Sequence, residues 1–203
     1  SVGAIWSSCS PDFGEQGVID RFGQIEPKVL FCVDGYFYNG KLHNCLGKIK
    51  SFIARLPTLK QVVIFDYVSS DNISVNNSIL YQEIVDNYEP NEIDFERVGF
   101  DHPLYIMYSS GTTGVPKCIV HGHGGTLVQH LKEHQLQTNI SSGDRVFYFT
   151  TCSWMMWNWL VSALATGATI MLYDGSPTYP DNTVLWKFAD EEQFSHFGTS
   201  AKY

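Results

Sequence analysis

Apolar and polar residues alternate in short blocks along the first third of the chain. Apolar runs at Lys28–Val33 and Lys60–Phe65 each follow a proline-containing turn, which predicts two buried strands. Between them, the segment Leu42–Leu56 has apolar side chains at helical spacing, which predicts a helix. The residues with this spacing are Leu42, Leu46, Ile49 and Ile53. A strand, a helix and a second strand in this order predict a βαβ unit.

A second series of strands and helices follows later in the chain. The pattern predicts strands at Pro103–Tyr108, Cys118–Val120, Arg145–Thr150 and Ala168–Tyr173, and helices at Gly125–Gln137, Trp154–Ala165 and Thr183–Glu192. This alternation indicates an α/β fold, with a largely parallel sheet and helices on both faces. The polar stretch Ser69–Asp101 predicts a surface connection that contains one short helix at Ile79–Val85.

The segment Val146–Tyr173 contains no charged residue and is long enough to suggest a membrane span. Polar residues interrupt it at Asn158, Ser162 and Thr166, and its two ends are rich in aromatic and β-branched residues. Parallel strands that are covered on both faces also have continuous apolar sequences. We therefore expect a strand, a helix and a second strand here, and no membrane span.

Composition and charge narrow the classes of partner. The net charge is −8, and the Lys and Arg residues are scattered along the chain, whereas nucleic-acid binding requires a basic surface. We therefore expect small-molecule substrates and no nucleic acid. The five cysteines are odd in number and form no Cys-x-x-Cys pair, which is typical of a reduced, cytosolic protein.

The segment Tyr108–Lys117, with the sequence YSSGTTGVPK, has the composition of a phosphate-binding loop. Its two glycines allow positive φ and close approach of backbone N–H groups to a ligand, and four hydroxyl groups and Lys117 add donors. It is not a Walker A loop, because Lys117 follows Pro116 and precedes Cys118. The alternative is a flexible linker, which the flanking apolar strands and the rigid Pro116 argue against.

The loop resembles the signature of adenylate-forming enzymes, which include acyl-CoA synthetases, luciferases and the adenylation domains of peptide synthetases. Within these enzymes, the flanking segments resemble the acetoacetyl-CoA synthetases. These segments are Gly3–Gly14, Asp20–Phe22, Lys117–Gly122, Gly124–His134, Trp154–Trp159, Leu172–Pro177 and Gly198–Tyr203. The resemblance covers nearly the whole chain and is weakest between Ser69 and Val98.

The resemblance implies a two-step ligase reaction with ATP, Mg²⁺ and coenzyme A. A carboxylate attacks the α-phosphorus of ATP, and the thiol of coenzyme A then displaces AMP from the acyl adenylate. The residues implied in nucleotide binding are Ser109, Ser110, Gly111, Thr112, Thr113, Gly114 and Lys117. Among them, Ser110, Thr112, Thr113 and Lys117 are expected to contact phosphate, with Lys117 as a point charge. The resemblance assigns no catalytic residue and no metal ligand to this chain.

Two further sets of residues follow from the resemblance. Trp154, Met155 and Met156 match the segment that lines the acyl pocket of acetyl-CoA synthetases, and methionine suits a small, shaped apolar cavity. Core packing at a helix start is the alternative for each of them. By position, Ser8 and Lys41 match places that contact coenzyme A. The alternative for Lys41 is an exposed lysine at the start of a helix.

Four histidines lie close together in sequence at positions 121, 123, 130 and 134. His130 and His134 are four residues apart, so they share one face of the predicted helix. The spacing supplies neither an acidic or cysteine ligand nor an H-E-x-x-H motif, so we expect surface or loop histidines and no zinc site. His121 follows the loop closely, and we keep it as a candidate for the substrate region.

Both ends of the chain lie beside apolar segments, which predicts that residues 1–203 are an internal part of a longer protein. With the resemblance, this predicts a partial AMP-binding N-terminal domain. The Mg²⁺-binding Thr-Glu pair and the C-terminal domain with its catalytic lysine then lie outside the chain. The alternatives are a synthetase for another short acyl group, such as propionate or butyrate, and a non-catalytic nucleotide-binding module.

Overall fold

The computed structural model describes residues 1–68, 73–109, 114–201 and 203. In chain order, their helices and strands are β1 (Trp6–Ser7), α1 (Glu15–Phe22), β2 (Val29–Val33), β3 (Gly35–Tyr38), β4 (Lys41–Asn44), α2 (Leu46–Ile53), β5 (Gln61–Phe65), β6 (Ser78–Leu80), α3 (Tyr81–Asn87), β7 (Pro103–Ser109), β8 (Lys117–Gly122), α4 (His123–Lys132), a π-helical turn (Glu133–Gln137), β9 (Arg145–Tyr148), α5 (Met155–Ser162), a 3-10 turn (Ala163–Thr166), β10 (Thr169–Met171), α6 (Val184–Glu191) and β11 (His196–Gly198). Parallel strands that alternate with helices confirm the predicted α/β class.

The chain divides into two compact units. Unit 1 comprises Ser1–Ser8, Phe95–Met107 and Ile119–Tyr203. Unit 2 comprises Cys9–Asp94 and Tyr108–Cys118. Each unit has its own sheets and its own hydrophobic core.

Unit 2 is built on a parallel sheet in which β5 pairs with β2 and with β6. The central strand β5 is the most buried part of this sheet, and Ile64 has no exposed surface. The helices α1 and α2 pack their apolar side chains into the same core. The predicted strands at 28–33 and 60–65 are confirmed as β2 and β5. The short helix predicted at 79–85 is α3, which β6 precedes.

A β-hairpin in unit 2 corrects the helix that the pattern predicts from Leu42. The strands β3 and β4 pair antiparallel around Asn39 and Gly40, which both have positive φ, 52° and 71°. Two positive φ values in a two-residue turn suit the twist of a hairpin, and an Asn-Gly pair adopts them readily. The helix α2 therefore begins at Leu46, and Leu42 is an exposed strand residue.

The described residues of unit 1 form two three-stranded sheets. In the first, β1 pairs parallel with β7, with Trp6 opposite Tyr105 and Ser7 opposite Ile106, and β8 lies on the other side of β7. In the second, the central strand β9 pairs parallel with both β10 and β11. The apolar start of the chain, Ser1–Trp6, predicts a strand, and the structure has β1 at Trp6–Ser7, whereas β11 is so short that the hydrophobic pattern did not predict it.

The uncharged segment Val146–Tyr173 forms the strand, helix and strand that the sequence predicts. It contains β9, α5, the 3-10 turn and β10. Across the described ranges, the structure has no helix with the length and apolar character that a membrane crossing requires. The apolar side chains of this segment pack instead around Val146, Phe147 and Leu160, each of which is at most 2% exposed.

Two buried histidines join α4 and the π-helical turn to α5. His130 is 4% exposed and His134 is fully buried, which corrects the prediction of surface or loop histidines for these two residues. His130 Nδ1 and His134 Nε2 each lie 2.8 Å from the hydroxyl oxygen of Ser162. That hydroxyl donates to the carbonyl oxygen of Trp159 at 2.7 Å. The hydroxyl of Ser162 has one hydrogen, which it donates to Trp159, and two lone pairs that can accept. Both imidazoles therefore donate to the oxygen of Ser162.

Protonation of these imidazoles is expected to destabilise the fold. Burial lowers the pKa of His130, which the neighbouring His134 lowers further, and burial also lowers the pKa of His134. Since the unfolded chain titrates near the ordinary value of about 6.5, it binds more protons than the folded chain just below that pH. The free energy of unfolding is therefore expected to decrease as pH falls below about 6.5.

An NMR titration of the imidazole Cε1–H signals tests this expectation, with assignment by single His→Gln variants. Both His130 and His134 are expected to titrate below pH 6.5. Urea denaturation of the same samples measures the free energy of unfolding at each pH, and His43→Gln serves as a control at an exposed position. Titration of either buried imidazole at or above its ordinary pKa would contradict the proposed effect of burial.

Candidate functional site

The predicted phosphate loop lies in unit 2, between the end of β7 and the start of β8. Ser110, Gly111, Thr112 and Thr113 lie outside the described residues. The described flanks are Ser109, which is half-buried at the end of β7, and the segment from Gly114 to the exposed Lys117. Lys117 is the first residue of β8, so the strand fixes its backbone while its side chain is exposed.

Gly114 has a backbone conformation that favours glycine. Its φ is +89°, in the left-handed region that L side chains adopt only with strain. A Cβ at this position would cost about 1–2 kcal/mol, which explains why the loop has glycine here. Gly114 therefore has the positive φ that the sequence predicts for a glycine of this loop.

Two side chains of the α1 region hold the flanks of the loop. The guanidinium of Arg21 lies 4.6 Å from the ring centroid of Phe13 and 5.8 Å from that of Tyr108, the first residue of the loop motif. Gln24 donates from Nε2 to the carbonyl oxygen of Pro116 at 2.8 Å. Cation–π contacts and a hydrogen bond to the backbone thus fix both ends of the loop, and Arg21 brings a second positive charge close to it.

The predicted acyl-pocket residues lie in unit 1, at the start of α5. Trp154 is the N-cap of this helix and is 67% exposed, whereas Met155 and Met156 are half-buried in its first turn. The N–H of Trp154 donates to the carbonyl oxygen of Thr151 at 3.1 Å, which forms a tight turn before the helix. The structure thus brings the three predicted residues together on one helix end.

Ser8 lies at the end of β1, close to this helix start. Its hydroxyl donates to the carbonyl oxygen of Cys152, two residues before Trp154. The hydrogen bond fastens the turn that precedes α5 to the carboxyl end of β1. Ligands in α/β proteins bind at the carboxyl ends of parallel strands, so this position suits a substrate-binding segment.

Lys41 lies in unit 2 and is the first residue of β4, where its side chain is exposed. This corrects the view of Lys41 as the start of a helix. The position opposite it in the hairpin is Tyr38.

His121 is half-buried in β8, and its ring centroid lies 4.9 Å from that of the buried Tyr105. Burial lowers the pKa of the His121 imidazole, so the neutral form is favoured at physiological pH. The contact with the Tyr105 ring explains why His121 is half-buried, and no bound ligand is needed to explain it. In the described parts of the chain, no group of three His, Cys, Asp or Glu side chains is arranged to hold a metal ion.

Asn158 is a polar residue of this region that the sequence did not single out as functional. It lies on α5, one turn after Met155, and its Nδ2 donates to the sulfur of Met107 at 3.6 Å. The sequence signal for it is a side-chain amide within the uncharged segment 146–173.

Comparison with known proteins identifies relatives along the whole chain. The family model described as AMP-binding enzyme matches residues 1–201. The acetoacetyl-coenzyme A synthetase of Rhizobium meliloti (strain 1021) is 55% identical over 208 residues, which cover 100% of this chain and 31% of that protein. The acetoacetyl-CoA synthetase of Gallus gallus is 53% identical, with 100% and 32% covered. A malonamoyl-CoA synthetase of Penicillium aethiopicum is 45% identical, with 100% and 31% covered.

A solved structure agrees with the sequence comparison. The acetoacetyl-CoA synthetase from Streptomyces lividans has a TM-score of 0.94 and 45% identity, and the match covers 99% of this chain and 30% of that chain. The chain thus spans about 31% of the length of the curated relatives that it matches. Because the family model covers the chain from residue 1 to residue 201, the protein belongs to the AMP-binding enzyme family.

Proposed function

We propose that this chain is a segment of a cytosolic acid–thiol ligase that activates acetoacetate with ATP and transfers it to coenzyme A. The observation that carries the proposal is the similarity to acetoacetyl-CoA synthetases, which covers the whole chain at 55% identity for R. meliloti and 49% for Danio rerio. The structural match to the S. lividans synthetase supports the same assignment.

The reaction has two displacements. A carboxylate oxygen of acetoacetate forms a bond to the α-phosphorus of ATP, and the bond from that phosphorus to pyrophosphate breaks. The thiol of coenzyme A then loses its proton, its sulfur forms a bond to the acyl carbon, and the bond from that carbon to the phosphate oxygen of AMP breaks. The first step requires stabilisation of charge on the leaving pyrophosphate, which preorganised donors supply.

The loop is proposed to supply these donors. Lys117 would place a positive charge on the β and γ phosphates, and the positive φ of Gly114 suits a loop whose backbone N–H groups bind an anion. When bound, Mg²⁺ would neutralise further charge on the phosphates. The residues proposed for nucleotide binding are Ser109, Ser110, Gly111, Thr112, Thr113, Gly114 and Lys117.

The start of α5 is proposed to receive the acyl group. Trp154, Met155 and Met156 form its wall, and the adaptable methionine side chains shape a small apolar cavity. Ser8 and Lys41 are proposed to contact coenzyme A.

A second candidate substrate follows from the malonamoyl-CoA synthetase of P. aethiopicum, which is 45% identical to the chain. Acetoacetyl and malonamoyl groups have the same length and both carry a carbonyl oxygen on the third carbon. They differ at the far end, where acetoacetyl has a methyl group and malonamoyl has an amide nitrogen. An apolar wall of tryptophan and methionine favours the methyl group, because a buried amide without a partner is costly.

Release of pyrophosphate by the full-length protein tests the proposal, with acetoacetate, malonamate, butyrate and acetate compared at saturating ATP. Acetoacetate is expected to give the highest kcat/KM, and chelation of Mg²⁺ is expected to abolish release. A preference for malonamate of tenfold or more would favour the second candidate. Absence of pyrophosphate release with every acid would contradict the assignment as a ligase of this class.

A further inference from the structure

We propose that Asn158 determines acyl specificity by donating a hydrogen bond from its side-chain amide to the 3-oxo oxygen of acetoacetate. The inference rests on the proposed function, because it assigns a recognition role within that reaction. It concerns the one feature that separates acetoacetate from butyrate, a carbonyl oxygen on the third carbon.

The position of Asn158 on α5 places it beside the proposed acyl wall. It follows Met155 by three residues and the N-cap Trp154 by four, so the three lie on one side of the helix. Its side chain is half-buried, as are those of Met155 and Met156. An acyl chain that contacts the first turn of α5 therefore lies within reach of the amide.

Among the described residues, the side-chain hydrogen bond of Asn158 is a weak one. Its Nδ2 donates to the thioether sulfur of Met107 at 3.6 Å. A thioether is a weak acceptor, whereas a ketone oxygen is a strong one. When a substrate with a ketone oxygen binds, the amide of Asn158 can donate to that oxygen in place of the sulfur of Met107. The hydrogen bond that forms is stronger than the one that is lost, so the site favours a substrate that supplies this oxygen.

A small recess lies beside the amide. Asn158, Met107, Ser8 and Ser153 are among the residues that line it, and its volume is about 10 Å³. A volume on this order holds one water-sized group. The recess thus has room for one small polar group, and its lining contains both the amide of Asn158 and serine hydroxyls, whereas Trp154, Met155 and Met156 lie outside it.

The composition of the segment favours the amide as the donor for this discrimination. Asn158 is the only residue of the segment 146–173 that has a side-chain amide, and the wall formed by Trp154, Met155 and Met156 is otherwise apolar. The methionine side chains alone would favour butyrate over acetoacetate, because a thioether offers the ketone oxygen no donor. A site built to hydrogen-bond a substrate group discriminates strongly against analogues that lack that group.

The test replaces Asn158 with leucine, which has a similar shape and no donor, in the full-length protein. The kcat/KM for pyrophosphate release is measured with acetoacetate and with butyrate. The value for acetoacetate is expected to fall about 10- to 100-fold, while that for butyrate stays within threefold of wild type or rises. Retained activity with butyrate demonstrates that the variant is folded. If Asn158→Leu does not fold, Asn158→Ala provides the same test, because alanine suits a helix, carries no charge and donates no side-chain hydrogen bond.

Asn182→Leu is the matched control, because it makes the same chemical change at an exposed position of unit 1. For this variant, the ratio of kcat/KM for acetoacetate to kcat/KM for butyrate is expected to equal that of wild type. If this ratio stays within twofold of wild type in both Asn158 variants, or if kcat/KM falls equally with both substrates, the proposed role of Asn158 is wrong. The proposed function would remain intact. Failure of the wild-type protein to activate acetoacetate would instead contradict the proposed function itself.

Discussion

Replacement of Lys117 with alanine in the full-length protein is expected to slow formation of the acyl adenylate by about 100- to 1,000-fold, the range for loss of one preorganised electrostatic group. Transfer of the acyl group from preformed acetoacetyl-AMP to coenzyme A is expected to change far less. The difference arises because Lys117 is proposed to stabilise charge on pyrophosphate, which leaves in the first step and takes no part in the second.

The two half-reactions are measured separately. Pyrophosphate release without coenzyme A reports adenylation, and rapid mixing of synthetic acetoacetyl-AMP with enzyme and coenzyme A reports thiol transfer. Lys60→Ala is the control, since Lys60 is exposed just before β5 in unit 2, away from the loop in sequence. Equal slowing of both half-reactions in Lys117→Ala would show that the lysine does not act on the leaving group.

Lys117→Arg separates charge from shape. Arginine keeps the positive charge but spreads it over a planar group, whereas lysine presents a compact point charge. Adenylation by Lys117→Arg is therefore expected to lie between the rates of wild type and Lys117→Ala. A rate as low as that of Lys117→Ala would mean that the compact shape matters as much as the charge.

The central strands could be predicted from sequence because their burial leaves a continuous apolar signal. Val62, Val63 and Ile64 are almost fully buried in β5, and the same pattern located β2 and β9. The short strands β1 and β11 have two and three residues, and their existence depends on pairing with distant strands. A local pattern cannot report such pairing.

The hairpin of β3 and β4 shows how one strong local signal was outweighed by another. Asn39-Gly40 is a turn pair that predicts a hairpin. The apolar spacing predicts one continuous helix from Leu42 onward. The helix α2 contains only the last three of its apolar residues, Leu46, Ile49 and Ile53. Turn chemistry thus decided the structure around Lys41, because both turn residues adopt positive φ.

The candidate site was only partly predictable from sequence. The loop and the start of α5 were located by resemblance, and Gly114 has the positive φ that the motif requires. The roles of Ser110, Gly111, Thr112 and Thr113 stay predictions, since these residues lie outside the described part of the chain. Asn158 was overlooked because its contact with Met107 joins residues 51 positions apart, which no local pattern reveals.

The same limitation applied to the histidines. The missing metal-ligand pattern favoured surface or loop histidines, but the acceptor that makes burial of His130 and His134 possible is Ser162, about 30 residues later. A buried polar group is tolerated when it has a partner, and the partner here belongs to another helix. Burial of these two histidines therefore depends on a tertiary contact that the sequence did not indicate.

Replacement of Ser162 with alanine is the second large effect that we expect, a decrease of about 2–5 kcal/mol in the free energy of unfolding near pH 8. The variant leaves the N–H groups of His130 and His134 without their shared acceptor, and each buried, unsatisfied donor costs about 1–3 kcal/mol. Urea denaturation at pH 8, where both imidazoles are neutral, measures this effect without a contribution from protonation.

Thr166→Ala is the matched control for Ser162→Ala. The hydroxyl of Thr166 donates to the carbonyl oxygen of Ala163 at 2.8 Å, three residues earlier, just as that of Ser162 donates to Trp159. Loss of such a local hydrogen bond at a half-buried position is expected to cost about 1 kcal/mol or less. The difference between the losses of unfolding free energy in Ser162→Ala and Thr166→Ala therefore measures how much the hydrogen bonds of the two imidazoles contribute to stability. Equal destabilisation by the two substitutions would mean that the histidine contacts add nothing beyond the local bond, and that α4 and α5 are held together by apolar packing alone.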